Sequence, residues 1–192
     1  DVAGFIADEN LHRPVLLGHS MGGKIAMTLA LTQNQLLGGL VVADIAPVAH
    51  DIRFDDYVGA MQRLDLSAVS RRADADALLS AAIPEPGVRG FLLHNLAAEG
   101  GVYRWRLNLD AIAANNQALA GFDAGAAGWP FAGPTLFLCG AESDYVLPDH
   151  EAEIQRLFPE SSIDRIAGAG HWLHADQPQE FFDRLTGFLA TL

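Results

Sequence analysis

Apolar residues along this chain change their spacing from segment to segment, and each change predicts an element. Residues 1–10 place Val2, Phe5 and Ile6 on one helical face, the pattern of the end of an amphipathic helix. The unbroken run Val15-Leu16-Leu17 predicts a strand, and Lys24 to Leu31 a helix that continues to Gln35. Gly39 to Asp44 is a second short apolar run, suited to a strand buried on both faces. Strand, helix and strand in this order form a right-handed parallel unit, so Asp44 emerges at the sheet edge where the first strand ends. From Ala46 to Gly128 the pattern becomes helical, with Tyr57–Leu64, Ser67–Ala82, Val88–Leu96 and Leu109–Ala120 separated by Pro, Gly and Asp. No strand of the main sheet is evident there. The expected organisation is therefore a core made of 1–47 and 129–192, interrupted by a helical cap over 48–128. The sheet resumes at Pro134–Gly140, followed by a helix over Asp149–Phe158, a short strand over Ser162–Ile166 and the loop Ala167-Gly168-Ala169-Gly170-His171. Pro178 to Leu192 closes the chain as an amphipathic helix with Phe181, Phe182, Leu185, Phe188 and Leu189 apolar. Alternating strands and helices mean an α/β fold.

Composition narrows this picture. Half of the 192 residues are hydrophobic, enough for one globular domain with a sizeable core. Cys139 is the only cysteine, which rules out an internal disulfide and suits a reducing, cytoplasmic compartment. It lies in the apolar run Leu136-Phe137-Leu138-Cys139, a core position and not a second nucleophile. A formal net charge of −12 disfavours nucleic acid and anionic membrane as partners. No apolar run reaches transmembrane length, no metal-spaced Cys/His cluster occurs, and neither a metal nor a cofactor is expected.

The chemistry concentrates at Gly18-His19-Ser20-Met21-Gly22, a Gly-x-Ser-x-Gly pattern between a predicted strand and a predicted helix. In that context the pattern marks a nucleophile elbow, a strained turn that lifts the serine hydroxyl above the end of a sheet. Gly18 and Gly22 are expected where a side chain would collide with neighbouring backbone. A serine hydroxyl needs a base within hydrogen-bond reach, itself held by a third group. His171 is the best-placed base, because a glycine-rich loop after the last strand delivers it to the elbow edge. His174 is its local competitor, and His19 is expected to point away from Ser20. Two aspartates leave strand ends at that edge and could orient the imidazole: Asp44, and Asp144 in the loop Gly140-Ala141-Glu142-Ser143-Asp144-Tyr145-Val146. The Met21 N–H, directly after the nucleophile, is one expected oxyanion donor, and the second should come from a loop after an earlier strand.

Several segments together carry a family resemblance. They are Gly18-His19-Ser20-Met21-Gly22-Gly23-Lys24, Asp44-Ile45-Ala46-Pro47-Val48, Phe91-Leu92-Leu93-His94-Asn95-Leu96, Trp105-Arg106-Leu107-Asn108-Leu109 and Gly170-His171-Trp172-Leu173-His174-Ala175-Asp176. The chain resembles the small capped bacterial carboxylesterases of the α/β-hydrolase superfamily, a branch that also holds a mitochondrial alpha/beta-hydrolase-domain protein of animals. The resemblance implies Ser20 as nucleophile, His171 as base and Asp44 as the acid, in preference to Asp144. It also implies an α/β-hydrolase fold lacking its first strands, because complete members begin with further strands that include the His-Gly loop of the second oxyanion donor. A fragment, a truncated homologue or one piece of a split protein is expected.

The expected activity is hydrolysis of short or medium acyl esters through an acyl-enzyme, with Phe91, Leu92, Trp105 and Trp172 shaping the substrate pocket. A dehalogenase or epoxide hydrolase would need a carboxylate where Ser20 stands. The competing expectation is a weakly active or inactive hydrolase-like scaffold without a complete oxyanion hole. Missing strands would leave a sheet edge open, so a homo-oligomer or association with an N-terminal segment is the expected partner state.

Overall fold

In the computed structural model of the chain, residues 1–50, 54–123 and 129–192 are described. In chain order the elements are α1 (Val2–Asp8), β1 (Val15–His19), α2 (Met21–Thr32), β2 (Gly39–Ala43), α3 (Phe54–Arg63), α4 (Arg72–Leu79), α5 (Pro86–Leu93), β3 (Leu96–Glu99), β4 (Val102–Trp105), α6 (Leu109–Ala114) and α7 (Asn116–Ala120). They continue with β5 (Thr135–Gly140), α8 (Glu151–Leu157), β6 (Ser161–Ile166), α9 (Leu173–Asp176) and α10 (Pro178–Leu189). The chain divides into two compact units, one of Asp1–His50 with Gly121–Leu192 and the other of Asp51–Ala120. The sequence put its junctions at 47/48 and 128/129, and the second of these borders residues outside the described ones.

The first unit is built on a four-stranded parallel sheet in the order β1-β2-β5-β6. Every residue of β2 and β5 is buried, as the apolar runs Gly39–Ala43 and Thr135–Gly140 require for strands covered on both faces. Leu40, Val42, Phe137 and Cys139 point into one cluster with Met27 and Ala30 of α2, Ile154 of α8 and Phe158 just after it. Val41, Ala43, Leu136 and Leu138 point into the other, against Phe181, Leu185 and Phe188 of α10. The period of two along each strand thus feeds two separate cores. Three apolar residues predicted for the apolar faces of helices lie outward: Phe5 of α1 is exposed, although Ile6 beside it is buried, and Phe182 and Leu189 of α10 are exposed. β1 differs from its neighbours. It lies at one end of the sheet, and Leu17 together with Met21 and Ile25 of α2 is 42–46% exposed.

The second unit has its own core of Ala60, Val69, Ala75, Leu79, Ile83, Leu93 and Leu96. Here the helical expectation needs correction. Leu96 does not end a helix but starts β3, which pairs with β4 as an antiparallel hairpin, Leu96 opposite Trp105 and Glu99 opposite Val102. Gly100 and Gly101 form its two-residue loop at φ +60° and +81°, values a side chain would resist. A Gly-Gly pair between alternating residues is a hairpin signal, here overridden in the sequence reading by the helical spacing before it.

Candidate active site

β1 runs into α2 through Ser20 alone, whose backbone stands at φ +54°, ψ −119°. A non-glycine residue in such a region costs of order 1–3 kcal/mol and persists only where the surroundings hold it. Two hydrogen bonds do so: Ser20 N–H donates to Ala43 O of β2 at 3.0 Å, and Ser20 O accepts from Lys24 N–H at 3.2 Å. The turn is tight enough that a Cβ on Gly18 would come 2.2 Å from Gly22 O. Gly22 itself is different from expectation, because a Cβ there meets nothing within 4 Å. The second crowded glycine is Gly23, where a Cβ would come 2.5 Å from Ile45 Cγ2.

The loop after β6 brings the His171 imidazole to this hydroxyl. Ser20 Oγ and His171 Nε2 are 3.0 Å apart, and His171 Nδ1 lies 2.8 Å from Asp44 Oδ2. A carboxylate only accepts, so Nδ1 carries the ring proton and Nε2 is left to accept from the serine O–H. Asp44 follows β2 directly, is fully buried and has φ +50°. Its N–H donates to Leu138 O at 2.8 Å, and its Oδ1 accepts from Gly140 N–H at 2.9 Å. Ser143 Oγ donates to Oδ2, the same oxygen that receives His171. The buried carboxylate is thus met by three donors, as burial of a charge demands.

Of the sequence-predicted residues, the structure brings together Ser20, His171 and Asp44. Asp144 is exposed and makes no bond to His171, whose ring nitrogens both have other partners. His174 is exposed, its ring 5.0 Å from that of His19. The His19 ring lies 4.8 Å from that of His171, and its Nε2–H donates to His171 O at 2.8 Å, pinning the loop that carries the base. Burial, opposed in part by this bond, lowers the His19 pKa and so favours its neutral form. Met21 is the first residue of α2, where an N–H has no partner within the helix. Trp172 is half-buried beside His171 in the chain. Phe91, Leu92 and Trp105 belong to the second unit. Phe91 is exposed, Leu92 and Trp105 pack against its core, and the Trp105 indole donates to Met61 O at 3.1 Å.

Two residues near the base were missed. Ser143 and Tyr145 stand in the loop after β5 that was read only as the frame of Asp144. Tyr145 stacks on the His171 ring, with ring centres 3.9 Å apart. The available signal was topological, since that loop leaves the sheet at the same edge as Ser20 and Asp44. Among the described residues no group of His, Cys, Asp and Glu is arranged to hold a metal ion, and no helix is long and apolar enough to cross a membrane.

Comparison with known proteins follows the same lines. The chain is 42% identical to the sn-1-specific diacylglycerol lipase ABHD11 of Mus musculus over 99% of its own length and 63% of that protein's. It is 30% identical to the esterase YbfF of Escherichia coli (strain K12), covering 98% of this chain and 72% of that one. Among solved structures, a marine microorganism esterase superposes with a TM-score of 0.93 at 35% identity, over 98% of this chain and 74% of that one. The chain spans 56–63% of the length of the ABHD11 relatives it matches. Residues 1–184 match the alpha/beta hydrolase family model, and with a parallel sheet, a serine elbow and these relatives, the chain belongs to the alpha/beta hydrolase family.

Proposed function

We propose that the protein is a serine carboxylester hydrolase in which Ser20 is the nucleophile, His171 the base and Asp44 the acid. The observation that carries this reading is the continuous chain of hydrogen bonds Ser20 Oγ to His171 Nε2, 3.0 Å, and His171 Nδ1 to Asp44 Oδ2, 2.8 Å. His171 takes the Ser20 proton as Oγ attacks the ester carbonyl carbon, and Asp44 stabilises the imidazolium that results. The Met21 N–H donates to the developing oxyanion. Collapse of the tetrahedral intermediate breaks the acyl–oxygen bond, and His171 hands its proton to the departing alcohol. Water then enters, His171 removes a proton from it, and the acyl group leaves as the acid while Ser20 regains its hydrogen. Relatives named as an esterase and as a diacylglycerol lipase support a carboxylic ester as substrate. In this reading Trp172, next to the base in the chain, contacts the acyl or alcohol part.

A second reading is a hydrolase-like scaffold of little activity. It is favoured by the outward-facing Leu17, Met21 and Ile25, an apolar group at the β1 end of the sheet. One assay separates the two: turnover of p-nitrophenyl acetate and butyrate by wild type, Ser20→Ala and His171→Ala. The hydrolase reading expects turnover that both substitutions abolish. Hydrolysis indifferent to both substitutions sinks it.

A further inference from the structure

A hydrogen-bonded imidazole is held along a line through its two nitrogens, but the bonds leave the ring free to tilt about that line. Packing against the ring faces limits that tilt, and two rings supply it, His19 at 4.8 Å and 39° and Tyr145. The Tyr145 ring is the closer and flatter neighbour. It lies almost flat on the imidazole, with ring centres 3.9 Å apart and planes 22° apart. His50 stacks on Tyr145 at 5.4 Å and 27°. The backbone of Tyr145 is anchored as firmly as its ring: its N–H donates to Ser143 Oγ at 3.3 Å, and its carbonyl accepts from Ala46 N–H at 3.2 Å and lies 3.0 Å from His50 Nε2. Ser143 is itself bonded to Asp44, so the stacking residue and the acid share one support.

The face of an aromatic ring carries partial negative charge and attracts a cation placed over it. His171 becomes such a cation at the moment it accepts the Ser20 proton. We infer that Tyr145 is a positioning residue of the base: its ring holds the plane of His171 between Ser20 and Asp44 and favours the imidazolium formed there. The inference rests on the triad reading above. It requires an aromatic ring at position 145 and makes no use of the phenol hydroxyl in the chemistry.

The test compares wild type with Tyr145→Phe, Tyr145→Leu and Ser20→Ala, using p-nitrophenyl butyrate as substrate and a fluorophosphonate to measure the rate of Ser20 phosphonylation. Misplacement of a reacting group by about 1 Å costs on the order of 10²-fold in rate. Tyr145→Leu is therefore expected to lose about 10–100-fold in kcat with KM within about threefold, and phosphonylation should slow in parallel. Tyr145→Phe should restore both to within about threefold of wild type. If the leucine variant unfolds on heating well before wild type, Tyr145→Met, which fills space without a ring, is read by the same criteria. Undiminished kcat in the ringless variant overturns the inference, and so does a phenylalanine variant as impaired as the leucine one. A ringless variant that changes KM alone also overturns it. Failure of the triad reading is distinct, because it would appear as Ser20→Ala hydrolysing the ester like wild type.

Discussion

At the scale of single residues, the two candidate acids are separated by environment. Asp44 is fully buried and reaches His171 at 2.8 Å, whereas Asp144 is exposed. Replacing Asp44 by Asn keeps the shape but puts an amide where a carboxylate accepted the Nδ1 proton, so the ring is no longer held in the tautomer that leaves Nε2 to receive the serine proton. By analogy with serine hydrolases of the same logic, kcat for p-nitrophenyl butyrate is expected to fall about 10⁴-fold in Asp44→Asn. Asp144→Asn, a surface change, should stay within about twofold of wild type. Equal losses in the two variants would contradict the assignment. Cys139 illustrates the opposite case. Its thiol is pushed up to about 12 chiefly by burial, which leaves it protonated and makes it a packing residue of β5, as its apolar neighbours in the sequence already indicated.

At the scale of elements, the elbow was legible because its chemistry and its context agree: an apolar strand, one serine and a helix. Which glycine the turn needs was not legible. Gly18 and Gly22 are symmetric about Ser20 in sequence, yet a Cβ on Gly18 would meet Gly22 O at 2.2 Å while one on Gly22 meets nothing within 4 Å. The asymmetry arises because Gly18 lies under the first turn of α2, and no local pattern records that crossing. Gly18→Ala is therefore expected to destabilise the protein at the upper end of the about 1–3 kcal/mol typical of overpacking. Gly22→Ala, inside the helix, should be neutral or stabilising by up to about 1 kcal/mol. Denaturant midpoints of the two variants check this, and a reversed order would contradict the geometry of the turn. The β3–β4 hairpin was hidden for a related reason. Leu92, Leu93 and Leu96 keep helical spacing, so only the Gly100-Gly101 pair marked the change of element, and the pairing of Leu96 with Trp105 is a contact that spacing alone does not express.

At the scale of the whole molecule, two histidines, His19 and His50, are held toward their neutral form by the fold, and this couples stability to pH. Tyr145 and Ser143 escaped the sequence reading because their roles come from a meeting of three strand ends, β2, β5 and β6, that are distant in sequence. Near the same edge His19 and His50 are half-buried. Burial lowers the pKa of both below the ordinary 6.5, and it outweighs the carbonyl oxygens nearby, one at His19 Nε2 and two at the His50 ring nitrogens. In the unfolded chain both would bind protons near pH 6.5, whereas in the folded chain they bind them only at lower pH. Below about pH 6.5 the unfolded state thus holds more protons, and stability falls as pH drops through that range. The acidic groups with lowered pKa values, Asp65, Asp74 and Glu153, have ordinary values of 3.8 to 4.5 and weaken the fold only in a more acidic window. The melting temperature is therefore expected to be lower at pH 5.5 than at pH 7.5. His50→Gln and His19→Gln should each flatten that difference, whatever they do to the absolute value, because each removes one proton-binding step. A melting temperature that rises on acidification from pH 7.5 to 5.5 would mean that the folded chain welcomes those protons. The carbonyl partners of His50, Val48 O and Tyr145 O, would then prevail over desolvation.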